Sequence, residues 1–330
     1  MSRGIDERLQ YMDEGGYVLM VQIYLLGRFH ATYADQALPG LEASKAQELF
    51  AYLLLHRHRP HTREMLIDYI WGDYTKDQAQ KGLRQALWQL QSAFNGQNGN
   101  LHDALLQVDT AWVQSNPTGA FWLDVAVLEA SYTLVQGIPG RSLTAEHAQS
   151  LATAVQLYTG DLLEGCYQDW CLLERERLQQ IYLVLLDKLM GYDETQGNYE
   201  LALAYGERIL YYDRAREQTH RKLMQIHCLA GNRTGALRQY DACVAALATE
   251  LAVKPAKRTE ALYQAIKADQ IEERPLPATG SLPLPPCHPT PPTSLPALLS
   301  HLQQMYTALA DLQRNVAHDI ELIETLLHNP

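Results

Sequence analysis

The sequence predicts a mainly α protein: an N-terminal α+β winged helix-turn-helix, an all-α tetratricopeptide-like repeat domain, and a C-terminal helix. Three observations predict it. Strand-like segments, three helical patterns and a hairpin pattern follow one another over residues 17–116. Further on, a glycine–asparagine motif recurs at an offset of 34 residues. A proline-rich stretch then sets one last heptad-spaced segment apart.

Residues 17–26 (YVLMVQIYLL) are rich in β-branched and aromatic side chains and end at Gly27. With residues 28–33, a turn at Asp35-Gln36 and a short segment at 37–39, they read as a small antiparallel sheet. In SKAQELFAYLLLHR, Ser44 is a suitable N-cap, and Ala46, Leu49, Phe50, Leu53 and Leu54 form an apolar stripe. After a polar break containing Pro60, Thr62 caps a second helix, with Met65, Leu66, Tyr69, Ile70 and Trp71 expected inward. Gly72, Asp73 and Tyr74 turn the chain into a third helix over residues 75–94. Its apolar positions Ala79, Leu83, Leu87, Leu90 and Phe94 recur at steps of three and four, so they share one face. The loop NGQNGN follows. Residues 105–108 and 112–114 then pair as a hairpin around Asp109-Thr110. Sheet, three helices and hairpin, in that order, is the arrangement in which a third helix enters the major groove and the hairpin forms a wing.

From residue 120 the pattern turns helical, opening with AFWLDVAVL, and stays so to about residue 267. Gly197-Asn198-Tyr199 with Ala202-Leu203 matches Gly231-Asn232-Arg233 with Ala236-Leu237. Their 34-residue offset is the period of a tetratricopeptide helix pair, an array that offers a concave surface to a partner.

Four stretches resemble the OmpR-type winged helix of the SARP-like transcriptional activators. They are LLGRFHA at 25–31, KAQELFAYLLLH from Lys45, REMLIDYIWGD at 63–73 and KGLRQALWQLQSAF at 81–94. The region from YTGDLLEG through ALRQYDACVAALATELAVKP is similar to the bacterial transcriptional activator domain that follows that winged helix. The likeness spans residues 18–271, and no G-x-x-x-x-G-K-[ST] loop of an ATPase module accompanies it. It implies a regulator that binds double-stranded promoter DNA, in tandem on direct repeats, as a homodimer. It also implies recruitment of RNA polymerase, with the turn at Gly72, Asp73, Tyr74 and Thr75 as the candidate contact.

The DNA-binding candidates are Lys81, Arg84, Gln85, Trp88 and Gln89 on the third helix, because Arg reads guanine and Gln adenine bidentately. Lys45, Arg63 and Lys76 stand at helix starts, suited to positioning phosphates. On the residues alone, a solvated surface is the better reading of Lys81, Arg84, Gln85 and Gln89, and the resemblance turns it towards DNA. Lys45, Arg63 and Lys76 read equally as plain surface cations, and Trp88 is as suited to packing as to contact. One departure stands out. No Lys or Arg occurs between Gln85 and Gly140, so the wing has no cation for a minor groove, and position 91, commonly Arg in related activators, is Gln.

Composition bounds the rest. With 47% apolar and 20% charged residues among 330, the chain reads as globular, and a net charge of −11 argues against indiscriminate coating of nucleic acid. No apolar run is long enough for a membrane span. Residues 1–16 are polar and acidic, without a secretory signal, and read as a mobile leader of a cytoplasmic protein. Five cysteines, odd in number and without a C-x-x-C pair, predict neither a disulfide nor a zinc framework. His56, His58 and His61 crowd one turn, but no Cys or carboxylate spacing supports a metal. Glu174 and Glu176 fall on different helix faces and read as surface ion-pairing groups. No nucleophile arrangement is visible, so neither an enzyme nor a cofactor is expected.

Nine of fifteen prolines fall between Pro275 and Pro296, so residues 272–296 read as a stiff linker between the repeat domain (120–271) and a terminal helix (297–328). Leu302, Met305, Leu309, Leu312, Val316 and Ile323 follow near-heptad spacing there, a candidate dimerisation seam. Two further functions remain open: an interaction adaptor whose winged helix has lost DNA binding, and a repeat protein that senses a small-molecule effector.

Overall fold

The computed structural model describes residues 12–13, 16–17, 21–33, 36–38, 41, 44–95, 105–116 and 121–270. The proline-rich segment, the heptad segment, Cys287 and most of the NGQNGN loop lie outside the described residues. Within the stretch read as a leader, β1 (Met12–Asp13) and β2 (Gly16–Tyr17) pair antiparallel.

Val21–Tyr24 forms β3, which pairs antiparallel with β4 (His30–Tyr33), and β4 with β5 (Gln36–Ala37). Alternation along β3 buries Val21 and Ile23 while Gln22 and Tyr24 stay partly exposed. Three helices follow: α1 (Ser44–Leu55), α2 (Arg63–Trp71) and α3 (Lys76–Asn95). Thr62 caps α2 as expected, its hydroxyl accepting from Met65 N–H at 3.3 Å. The wing is β7 (Leu106–Val108) and β8 (Trp112–Ser115), and the polar break contributes β6 (His61–Thr62), which pairs with β8.

Two expectations need correction. Residues 121–123 were read as the opening of a helix; they form β9 (Phe121–Leu123), which lies parallel to β3 and completes a four-stranded sheet ordered β5-β4-β3-β9. The helix, α4 (Asp124–Leu134), starts only after it. Second, Tyr69 does not point inward. It is 51% exposed, because the nine-residue α2 buries only Leu66, Ile70 and Trp71, and the Tyr69 ring instead leans on Tyr52 at 5.7 Å.

Beyond a short 3₁₀ turn (Gly140–Ser142), helices α5 (Ala145–Leu157), α6 (Asp169–Gln196), α7 (Tyr199–Tyr212), α8 (Glu217–Leu229), α9 (Arg233–Glu250) and α10 (Lys257–Lys267) form the repeat region. The motif offset by 34 residues becomes two equivalent turns. Gly197 closes α6 at φ +78° and Gly231 follows α8 at φ +70°, left-handed conformations that glycine adopts without a Cβ clash. Asn232 then caps α9, its side chain accepting from Gly235 N–H at 2.8 Å.

The head and the repeats share one core. The buried cluster runs from Val21 through Phe50, Leu90 and Leu128 to Leu186 and Ile226. Main-chain bonds seal the seam: Leu163 N–H to Leu25 O, Gly27 N–H to Asp161 O and Glu164 N–H to Gly27 O, each at 2.9 Å. Gly27 sits at φ +104°, and the Thr159 hydroxyl beside it donates to Leu26 O at 2.7 Å. Asp124, fully buried at the start of α4, accepts from Leu25 and Leu26 N–H at 2.8 Å each and from Val125 N–H at 2.7 Å. Glu129 adds a charged tie, bridging Arg57 and Arg177 at 2.8 Å each.

Candidate nucleic-acid interface

The candidate DNA-reading element begins at the turn. Thr75 N–H donates to the Gln78 side chain at 3.4 Å, one half of a capping box, and Tyr74 N–H returns to Trp71 O at 2.9 Å. The four turn residues Gly72, Asp73, Tyr74 and Thr75 are all exposed. From there α3 divides cleanly. Ala79, Leu83, Ala86, Leu87, Leu90 and Phe94 are buried, with Phe94 against Phe50 at 5.1 Å.

Lys81, Arg84, Gln85 and Trp88 lie on the opposite side, at helical steps of three and four, and all are exposed. Trp88, which the sequence left between packing and contact, is 66% exposed. Neither Lys81 nor Arg84 forms an ion pair among the described residues. Gln89 is half-buried at the edge of the stripe, and Lys76 is exposed at the first position of α3. The result is a solvent-facing row of one ammonium, one guanidinium, a carboxamide and an indole on a rigid twenty-residue helix.

Two of the helix-start cations are engaged within the protein. Lys45 Nζ donates to Glu48 at 2.7 Å and to Ile70 O at 2.9 Å, so it ties α1 to the C-terminal end of α2, where a cation meets the helix dipole favourably. Its ammonium is spent on that contact rather than offered to a phosphate. Arg63 reaches the wing: Nε and Nη2 donate to Asp109 O at 3.1 and 2.9 Å, and its own N–H donates to Ala111 O at 3.1 Å. The wing has no cation of its own in sequence, and α2 supplies one at its turn.

The wing tip is acidic. Asp109 accepts from Ala111 N–H and from the Thr110 hydroxyl, each at 3.1 Å, and these bonds hold its carboxyl below the usual range. The Arg63 guanidinium at the same turn offsets part of that negative charge.

The histidines of the polar break serve packing. His61 is fully buried with Nε2 3.2 Å from His56 O, while His58 is exposed. Desolvation lowers the pKa of both His56 and His61. Among the described residues no three His, Cys, Asp or Glu side chains gather in a group that could hold a metal. Nor is any helix among them long and apolar enough to cross a membrane. Glu174 pairs with Arg177 at 2.7 Å, as its position in LLERERL implies.

Comparison with known proteins bears on the helical half. Residues 123–267 match the family model described as the bacterial transcriptional activator domain. That stretch, somewhat under half of the chain, is similar to the bacterial transcriptional activator domain. In the structure, that domain runs from the last residue of β9 to the end of α10. Among solved structures the fold is similar to Mycobacterium tuberculosis EmbR in complex with a low-affinity phosphopeptide. The likeness has a TM-score of 0.58 at 19% identity and covers 76% of this chain and 66% of that one, just under two thirds of its length. No curated protein matches the chain. The activator domain marks a family of transcriptional regulators rather than enzymes, and with the shared fold it supports the SARP-like resemblance of the sequence.

Proposed function

We propose that the chain is a DNA-binding transcriptional activator of the cytoplasm, whose winged helix reads promoter repeats through α3. The observation that carries this reading is the exposed stripe Lys81, Arg84, Gln85 and Trp88, with no ion pair among the described residues to occupy its two cations. Arg84 and Gln85 can each address a base edge, and Lys81 and Lys76 can meet phosphates. Few cations line the surface, so a single copy gains little counterion release, and two copies side by side on direct repeats supply the affinity. The turn at Gly72, Asp73, Tyr74 and Thr75 stands free beside α3, where it is available to RNA polymerase. The test is a gel shift of the full chain on the DNA upstream of its own reading frame, titrated with salt. A shift that charge reversal at Lys81 and Arg84 abolishes supports the reading, and no shift at low salt from folded protein overturns it.

The acidic wing tip favours a second reading, an interaction adaptor that no longer binds DNA. In that case the same charge reversals leave partner binding intact.

A further inference from the structure

A second surface draws cations together from distant parts of the chain. A cleft of about 700 Å³ opens in the activator domain between α6, α8, α10 and the 3₁₀ turn, and four basic residues line it: Arg141, Arg221, Lys222 and Arg258. Only two carboxylates, Asp187 and Glu194, share the lining. A local excess of positive charge is unexpected in a chain with a net charge of −11.

The cleft is built by close backbone approach. Gly191 on α6 faces Gly140 of the 3₁₀ turn, where a Cβ on Gly191 would stand 3.4 Å from Gly140 Cα and 3.1 Å from Lys222 Nζ. Two small residues thus let the turn sit on α6 and carry Arg141 into the lining. The Lys188 ammonium, donating to Ile138 O, fastens the approach to that turn. Arg221 donates to Thr259 Oγ1 of α10 at 3.0 Å and pairs with Glu217 of its own helix at 3.4 Å. Arg141 and Arg258 are exposed and have no ion pair among the described residues. Lys222 Nζ donates to Asp187 O at 3.5 Å, so two braced cations and two uncommitted guanidinia face one space.

We propose that this cleft binds a phosphate-bearing small molecule of nucleotide size. Guanidinium forks bind phosphate oxygens in pairs, and a braced neighbour lowers the ordering cost of doing so. The carboxylates Asp187 and Glu194 and the carboxamides of Gln218 and Gln225 suit hydroxyl and amine groups on the same ligand, and the volume falls in the range of small-molecule sites. The site is independent of the DNA-reading stripe and goes beyond the regulator reading.

The experiment is calorimetric titration of the full chain with ADP, inorganic pyrophosphate and, as an uncharged control, adenosine, at low and moderate salt. Saturable one-to-one binding of ADP and pyrophosphate is expected, weaker at the higher salt, with none for adenosine. The double variant R141E/R258E is expected to weaken both roughly tenfold or more, while its circular dichroism and melting profile without ligand stay unchanged, because both side chains are exposed and unpaired among the described residues. Failure of ADP and pyrophosphate to bind, or binding that the double variant leaves intact, overturns the proposal. Pyrophosphate bound but ADP refused overturns the nucleotide size. The gel shift of the same variant, expected unchanged, separates this outcome from any failure of DNA binding.

Discussion

Gly82 lies directly under the indole of Trp71: a Cβ at Gly82 would stand 2.6 Å from Trp71 Nε1 and 3.0 Å from Cδ1. Gly82 therefore sets the spacing between α2 and α3, the two helices of the helix-turn-helix. Gly82→Ala gains about 1 kcal/mol of helix propensity but forces a buried ring to shift, at about 1–3 kcal/mol. A net loss of up to about 2 kcal/mol in a urea unfolding curve is expected. Stability equal to or above the parent would show that the ring yields freely.

Arg84 and Lys81 differ in what they can report. Arg84→Ala is expected to cost about 1–3 kcal/mol of binding and to relax preference at one base position. Lys81→Ala is expected to weaken all sequences alike and to reduce the salt slope by about one. Fluorescence anisotropy on a panel of single-base operator variants distinguishes the two. Indistinguishable behaviour would place both on the phosphate backbone.

The Arg63 guanidinium braces the wing through Asp109 O. Arg63→Ala removes two hydrogen bonds at an exposed site, worth about 0.5–1.5 kcal/mol each at most. Faster hydrogen exchange at Asp109 N–H, which donates to Trp112 O at 2.8 Å, is the expected sign. Unchanged exchange there would mean that the hairpin holds itself.

Asp124 carries the clearest pH signature. Desolvation raises its pKa from 3.8 to about 6, outweighing the N–H bonds from Leu26, Val125 and Leu25 that pull it down. The folded state therefore keeps the proton that the unfolded chain releases first. The group's stabilisation is complete below pH 3.8 and is lost as pH rises through about 6, a change of up to about 3 kcal/mol. Asp124→Asn lacks this dependence and leaves one N–H short of an acceptor. Comparing denaturant midpoints of parent and variant from pH 4 to 7 tests the sign, and parallel curves would refute it.

Cys166 and Cys171 are buried, interacting thiols although neither belongs to a C-x-x-C motif. The Cys171 thiol donates to Leu162 O at 3.9 Å, and its interaction with the neighbouring Cys166 lowers Cys166 to about 7 and raises Cys171. Native alkylation mapped by mass is expected to reach Cys166 before Cys171, with a midpoint near pH 7. Cys171→Ala should move that midpoint up. A midpoint that stays in place would assign the effect to Gln168 N–H instead.

The features legible in sequence were those written locally. The stripe on α3, the Thr62 cap, the hairpin and the paired glycines at 197 and 231 each need only a period or a turn residue. Features that depend on a distant partner were not legible. β9 looked helical because AFWLDVAVL has no break, and only pairing with β3 makes its first residues extended. Lys45 looked free because Ile70 O is 25 positions away, and Arg63 because Asp109 O is 46 away. The cationic cleft gathers Arg141, Arg221, Lys222 and Arg258, which no window of sequence brings together.

The parallel pairing of β9 with β3 governs how the protein can be cut. Ending the chain at residue 116, before the helical region, would remove the strand Phe121–Leu123 from the head's sheet and Asp124 from the N–H groups of Leu25 and Leu26. Val21–Tyr24 would then become a bare edge with unsatisfied donors and acceptors, a template for self-association. A head that is to be studied alone must therefore carry residues through α4, and an aggregating shorter fragment would report the missing strand rather than a defect in the winged helix.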